Sequence, residues 1–283
     1  MIRQKSFEND QPTLYLVATP IGNLGEMTPR AIEILKSVDV IAAEDTRNTM
    51  KLLSHFDIQT HCIAHHMHNE YESAKGLLTL LEEGKNVALV SDAGYPLISD
   101  PGQIVVSMVS EAGYNVVPIS GANAALNALV ASGLSAQPFM FVGFLKSGEQ
   151  ERRKTCLELS KIKQTLIFYE APHRIRKTLE LFLEVFGNRD ICLAREITKK
   201  HEEFIRGTLS EVIDICDDLK GEMVIVMAGY NEEEAKDEIP FTVLNDAIKN
   251  YIEEGYSTKE AIKKVAKEHG LSKNEIYKQY HSC

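Results

Sequence analysis

The sequence predicts an α/β protein of two main units with a small helical tail, and three observations carry that reading. Short runs rich in Val, Ile and Leu recur with helix-patterned segments between them, the alternation that builds βα units. The chain has 283 residues, and at roughly 150 residues per domain this suggests two domains. After Tyr230 the character changes to an acidic, turn-rich stretch, NEEEAKDEIP, followed by three short helical patterns.

In chain order, the opening MIRQKSFENDQPT has no apolar leader core, so residues 1–12 are expected to form a flexible polar lead. Strands are expected at 13–19, 38–44, 87–91 and 116–120, with a weaker one at 62–66. A helix at 122–131 precedes a second set of strands at 139–145, 165–170, 191–196, 203–208 and 223–229. Consecutive β segments near the end of that set point to antiparallel pairing. The junction falls near residues 121–130, which gives an N-terminal lobe at 13–125, a C-terminal lobe at 126–230, a linker at 231–240 and a tail at 241–283.

Within the tail, 241–253 is amphipathic, and Ser257 with Glu260 forms a capping box before the next helix. Gly270 stops that helix. Leu271 and Ser272 lead into a third, with Lys273, Asn274, Tyr277 and Lys278 on its outer face, a helix-turn-helix spacing. A helical hairpin packed on the body or on a partner subunit is an equal alternative, because the segment carries only +1.

Composition excludes several classes. With 44% hydrophobic and 25% charged residues the chain is not collagenous, disordered or a coiled coil. Five cysteines, at 62, 156, 192, 216 and 283, are scattered without a C-x-x-C pair, which points to a reducing compartment and a cytoplasmic address. The 34 residues between Glu111 and Lys146 hold no Asp, Glu, Lys or Arg. Gly113, Pro118, Asn123, Asn127, Gln137 and Pro138 interrupt them, so they read as two strands and a helix buried in protein or at a subunit interface, with no role in a membrane.

The net charge of −10 is uneven: −7 over residues 1–145, +4 over 146–206, −8 over 207–240 and +1 over 241–283. The basic block at 146–206 either attracts phosphate or is a solvated face, and charge alone does not decide.

In open α/β sheets the ligand crevice lies outside the carboxyl ends of the strands, so the strand-end loops are where a site is sought. The first, ATPIGNLG from Ala18 to Gly25, is a tight glycine turn before Thr28 and Pro29, which suit the cap and first position of a helix. It is neither a G-x-x-x-x-G-K-[ST] phosphate cradle nor G-x-G-x-x-G, so phosphoryl transfer and dinucleotide binding lose support. The second, AAEDTR, brings Glu44, Asp45 and Arg47 out of an apolar run together, as a structural salt bridge or as a phosphate grip beside a proton acceptor. The third, SDAGYPLISDPG from Ser91 to Gly102, is a long patterned loop of the kind that carries function. At Gly94 the backbone can approach a flat ligand closely, and Asp92 or Ser99 can fix its polar atoms. A fourth, PISGAN, places Ser120 and Gly121 at the start of a helix in the same crevice.

Together TPIGNLG, AEDTR, HHMHNE, SDAGYPLISDPG, PISGAN, FYEAPHR and AREITKKHEE closely resemble the bacterial small-subunit ribosomal RNA 2′-O-methyltransferase I family of the tetrapyrrole methylase superfamily, from about Thr13 to Tyr230. The tail resembles that family's helix-turn-helix extension. The resemblance implies a two-lobed tetrapyrrole-methylase-like fold and S-adenosylmethionine as methyl donor in the cleft between the lobes. It implies the ribose 2′-hydroxyl of a cytidine in the small subunit as acceptor, and a homodimer. By the same resemblance the donor meets Pro20, Ser91, Asp92, Ala93, Gly94, Ile98, Ser99, Ser120, Gly121 and Ala122, with Tyr169, Glu170 and Ala171 from the second lobe.

Cys62, His65, His66 and His68 invite a zinc reading, but a structural zinc wants four ligands and no spaced Cys/His partner follows, so no metal is expected. His66 and His68, with Asn69 and Glu70, are assigned to the RNA cleft or to loop capping. Arg47, Arg174, Arg195 and Lys199 are expected on the RNA backbone, which would make binding salt-dependent. Glu44, Asp45, Glu170 and Glu196 are the proton acceptors to weigh, with Arg47 and Lys199 as the basic catalytic candidates. Two rivals remain at this point: a methylase acting on a tetrapyrrole, and a non-enzymatic nucleic-acid binder.

Overall fold

The computed structural model describes residues 3–6, 8–65, 70–232 and 241–268, together with 273, 276, 277 and 280. Two five-stranded sheets organise it. The first is built from β1 (Thr13–Val17), β2 (Val40–Ala43), β3 (His61–Ala64), β4 (Val87–Val90) and β5 (Asn115–Ile119), in the order β3-β2-β4-β1-β5. Every pairing in it is parallel. The central strands are buried along their length, as β2 and β4 show, which is why they read as continuous apolar runs instead of alternating ones.

Helices α1 (Pro29–Ser37), α2 (Thr46–His55), α3 (Glu70–Glu82) and α4 (Gln103–Glu111) make the crossovers. Their starts follow local chemistry. Thr28 accepts from the Ala31 amide at 3.2 Å with Pro29 in the first turn, and Asp45 accepts from the Arg47 amide at 2.8 Å. One apolar layer, with Leu35, Ile41, Leu53 and Ile119, fills one face of the sheet. Another, with Leu14, Leu77, Leu89 and Val105, fills the opposite face.

Helix α5 (Ala124–Ala131) follows β5 and leads into the second sheet. That sheet has the order β6-β7-β10-β8-β9, from β6 (Phe139–Phe144), β7 (Thr165–Glu170), β8 (Asp190–Arg195), β9 (Glu203–Thr208) and β10 (Met223–Met227). Only β6 with β7 is parallel, and the rest is antiparallel, as the consecutive strand patterns predict. Helices α6 (Glu149–Leu159), α7 (Ile175–Phe186) and α8 (Leu209–Ile215) cover a core in which Phe168, Phe182 and Phe186 stack. Helix α5 covers the other face over Ile167, Ala194 and Val226. The uncharged stretch after Glu111 thus becomes β5, α5 and β6. Among the described residues no helix is long and apolar enough to cross a membrane.

In the tail, α9 (Phe241–Glu253) and α10 (Thr258–Glu268) pack on each other through Leu244, Ile248, Ile262 and Val265, with Ile276 closing the cluster. The Glu260 carboxylate accepts from the Ser257 amide at 3.0 Å and from its hydroxyl at 2.6 Å, so half of the expected box forms. Linker residues 233–240 and Gly270, Leu271, Ser272, Asn274 and Lys278 lie outside the described residues.

Candidate functional site

The loops after β1 and β4 are stitched together. Thr19 and Gly94 exchange backbone hydrogen bonds of 2.9 and 3.0 Å, Thr19 Oγ1 donates to the Ser91 carbonyl, and Ser91 Oγ donates to the Gly94 carbonyl, both at 3.1 Å. Gly94 has φ +80°, and a Cβ there would lie 3.6 Å from Ile21 and 3.7 Å from the Ala122 carbonyl, filling the cradle between these loops. The loop after β5 closes in as tightly: a Cβ on Gly121 would stand 2.7 Å from Ala18 Cβ, and the Gly121 amide donates to Tyr95 Oη at 3.2 Å.

Two loops turn on backbone that L residues rarely adopt. Among the described non-glycine residues, φ is positive at Asp57, Leu97, Ser99, Glu196 and Thr198, and four of these five lie in SDAGYPLISDPG or AREITKK. Strain of this kind is held only where the surroundings over-determine it, and it clusters at ligand sites.

From the second sheet, Tyr169 stands at the end of β7 with its ring edge-on to Phe141 and Phe144, at 5.0 and 5.4 Å, and its hydroxyl accepts from the Ala125 amide at 3.2 Å. Burial pushes that phenol above its ordinary pKa. The loops and β7 enclose a cleft of about 450 Å³ walled by Ile21, Ile98, Tyr169 and Val224. That volume lies inside the range of roughly 300–1,000 Å³ typical of small-molecule sites. A smaller cavity of about 250 Å³ opens beside it, between the loop after β1 and helix α2, and Asp92 lines both.

The structure distributes the donor-binding candidates as follows. Asp92, Ala93, Gly94, Ile98, Ser99, Tyr169, Glu170 and Ala171 line the larger cleft. Ser91 is buried and, with Pro20, lines the smaller cavity; Gly121 and Ala122 back the cradle, and Ser120 is exposed at the end of β5.

Most of the catalytic candidates are already engaged. Glu170 is 2% exposed, accepts from the Ala171 amide at 2.9 Å and the Thr178 hydroxyl at 2.6 Å, and pairs with Arg174 at 3.2 Å. Asp45 pairs with Arg47 at 2.8 Å, and that hydrogen bond holds its carboxyl down at about 2. Glu196 pairs with Lys199 at 3.0 Å, which lowers its pKa, and Lys199 also reaches Glu222 at 3.3 Å. Burial works against the Lys199 ammonium, yet Glu196 and Glu222 hold its pKa above the ordinary value.

Glu44 and Asp100 line one small recess beside the cleft. Asp100 is a residue the sequence reading passed over. Burial, then Glu44, then Asp92 raise its pKa to about 7. Asn48, also passed over, donates to Asp92 Oδ2 at 2.9 Å, and Glu222 lines the cleft. The only signal for Asp100 was its place in an already notable loop. Asn48 gave none beyond standing one residue after AEDTR.

Of the RNA-backbone candidates, Arg47 projects with 87% of its side chain exposed. Arg174 is held by Glu170 and the Leu145 carbonyl, and Arg195 by Glu203 and the Lys220 carbonyl. Both sets of partners lie within the second lobe. His66 and His68 lie outside the described residues, whereas Glu70 of the same motif caps α4, accepting from the Gly102 and Ile104 amides at 2.8 and 3.4 Å. Among the described residues no group of three or more His, Cys, Asp or Glu is placed to hold a metal ion.

Fold and cleft define a class. Residues 13–213 match the family described as tetrapyrrole (corrin/porphyrin) methylases, and the chain belongs to that family. Solved structures share its fold: a uroporphyrin-III C-methyltransferase from Thermus thermophilus covers 77% of this chain and 94% of its own, at 18% identity and a TM-score of 0.55. A diphthine synthase covers 77% of this chain and 90% of its own, at 12% identity and a TM-score of 0.57. Within the family the chain groups with proteins named ribosomal RNA small subunit methyltransferase I. It is 49% identical to that of Bacillus subtilis over 99% of this chain and 98% of the relative, and 44% identical to that of Vibrio cholerae over 98% and 97%. The chain is a methyltransferase, and S-adenosylmethionine is its methyl donor. The cleft fits that group: its apolar walls, the glycine cradle at Gly94 and the backbone of 92–94 suit an adenine, a ribose and an amino-acid end.

Proposed function

We propose that the protein methylates the ribose 2′-hydroxyl of a cytidine in small-subunit ribosomal RNA. One observation carries the choice of RNA over a tetrapyrrole. The tetrapyrrole methylase match ends at residue 213 and the structural neighbours cover 77% of the chain, whereas the ribosomal RNA small subunit methyltransferases cover 98–99% of it, tail included. The finer statement, a cytidine 2′-hydroxyl, rests on the resemblance carried by the seven motifs.

S-adenosylmethionine supplies an electrophilic methyl carbon on a sulfonium. The residues of this chain bind, align and exclude water. Ile21, Ile98 and Tyr169 form the dry walls, and Gly94 with its neighbours fixes the polar ends. Alignment of oxygen, carbon and sulfur can account for several kcal/mol of the barrier, on the order of 7 or more. The hydroxyl loses its proton as its oxygen bonds to the methyl carbon and the carbon–sulfur bond breaks. Asp92, at the meeting of the two cavities, with Asp100 and Glu44 behind it, takes that proton.

Leu126 and Val130 on α5 and Phe139 on β6 are exposed at 46%, 76% and 41%, an apolar surface on the uncharged stretch that a second copy would cover in a homodimer. The small ribosomal subunit is the partner, and the cytoplasm the setting.

Incubation with labelled donor and either undermethylated small subunits or a free tetrapyrrole tests the assignment. Label in small-subunit RNA is expected. Label in the tetrapyrrole, or in neither, overturns it.

A further inference from the structure

We propose that the smaller cavity beside the donor cleft seats the acceptor nucleotide, taking one unstacked pyrimidine nucleoside of single-stranded RNA while Arg47 and Lys51 hold its flanking phosphates. The inference rests on the RNA-methylating reading above and adds to it the site at which the acceptor binds.

Adjacency comes first. Asp92 belongs to the walls of both cavities, so a group in the smaller one lies beside the larger. A transfer between two bound molecules requires this arrangement, because reacting atoms must come within about 3–3.5 Å. Size comes second. At about 250 Å³ the cavity falls below the roughly 300 Å³ at which sites for whole drug-sized ligands begin, and it suits a single base with part of its sugar.

The walls carry the third argument. Pro20, Leu24 and Leu52 supply apolar surface for the faces of a ring, and Asn48 supplies an amide with both donor and acceptor capacity for its edge.

Charge is the fourth. Arg47 and Lys51 stand four residues apart on α2 and so share a face of that helix. Lys51 lines the cavity, and Arg47 projects into solvent one turn before it. Lys51 on the wall and Arg47, held by Asp45 one turn before it, are spaced to meet two phosphates of a strand whose base is splayed into the cavity. A base within a duplex cannot enter a recess of this kind without leaving its stack, so the site selects a loop or an unpaired strand.

The test has two arms. With leucine and isoleucine methyl groups labelled for NMR, cytidine 5′-monophosphate is titrated into the protein saturated with S-adenosylhomocysteine. Shifts at Leu24 and Leu52 are expected, weakened at least tenfold in Lys51→Glu. Shifts confined to Ile21 and Ile98, or none at all, overturn the proposal. In the second arm, Leu24→Ala and Lys51→Glu are assayed on undermethylated small subunits. KM for subunits is expected to rise about tenfold with donor affinity unchanged within twofold, and Lys51→Glu is expected to flatten the salt slope of subunit binding by about one unit. An unchanged KM in both variants overturns the proposal. If the wild-type protein labels no small-subunit RNA while its Leu24 and Leu52 still respond to the nucleotide, the pocket stands and the ribosomal assignment falls.

Discussion

Lys199 lies across Gly22: a Cβ on Gly22 would sit 2.6 Å from both Cγ and Cε of that side chain. Its ammonium continues to Glu196 and Glu222, so one lysine spans from the glycine turn after β1 to the loops at the end of the second sheet. Gly22 also has φ +140°, a conformation that L side chains rarely adopt. Gly22→Ala should therefore lose about 1–3 kcal/mol of stability through backbone strain and displace Lys199 from Glu222. Thermal melts of Gly22→Ala, Lys199→Ala and the double variant check this. The double variant should recover the part due to the clash and keep the part due to φ.

Glu170 was a proton-acceptor candidate from sequence, but its oxygens are bound by an amide, a hydroxyl and Arg174 at the buried end of β7. Glu170→Gln should cost about 3 kcal/mol, since it leaves Arg174 without its charged partner, and donor affinity should weaken with it because Tyr169 and Ala171 flank the position. A variant with full stability and full donor affinity but no turnover would instead mark Glu170 as the base.

Asp100 makes the account sensitive to pH. Its folded-state pKa of about 7 lies above the ordinary 3.8, so the folded protein holds a proton that the unfolded chain releases. That preference favours folding least when the carboxyl must ionise: stability is lost as pH rises from about 4 and the loss is complete above about 7. Asp100→Asn removes the titration. Its melting temperature should exceed that of the wild type at pH 8 and approach it at pH 4. Turnover should fall roughly 10²-fold at the same time, with a flatter pH–rate profile. A variant destabilised at pH 8 would contradict the buried-carboxyl assignment.

The tail carries its own apolar cluster, and the residues lining both cavities all precede Leu244. Deletion after Tyr230 should leave donor affinity and the main melting transition intact while weakening action on the assembled subunit. Parallel loss of melting temperature and donor affinity would show that the tail serves as a brace for the body.

Much of the fold was legible because buried parallel strands announce themselves as apolar runs. The five expected in the first lobe each correspond to a strand, shifted by a residue or two at their ends. Local chemistry was legible too, as at Thr28 and Pro29. The T-x-x-E box at Thr208 and Glu211 was not noticed, since Thr208 also ends β9. What depends on strand order was not legible. The β2-β4 pairing sets the loops holding Glu44 and Asp100 side by side, and nothing in a linear spacing of fifty-odd residues announces that contact. Likewise Arg195 meets Glu203 only through the β8–β9 register, which no linear spacing announces.

The proposed reaction brings a ribose hydroxyl, and no atom of the base, to the methyl group where the two cavities join at Asp92. Digestion of small-subunit RNA labelled by this protein, followed by separation of the nucleosides, tests it most directly. The label is expected to elute as 2′-O-methylcytidine, and label recovered in a base-methylated nucleoside would overturn the 2′-hydroxyl assignment.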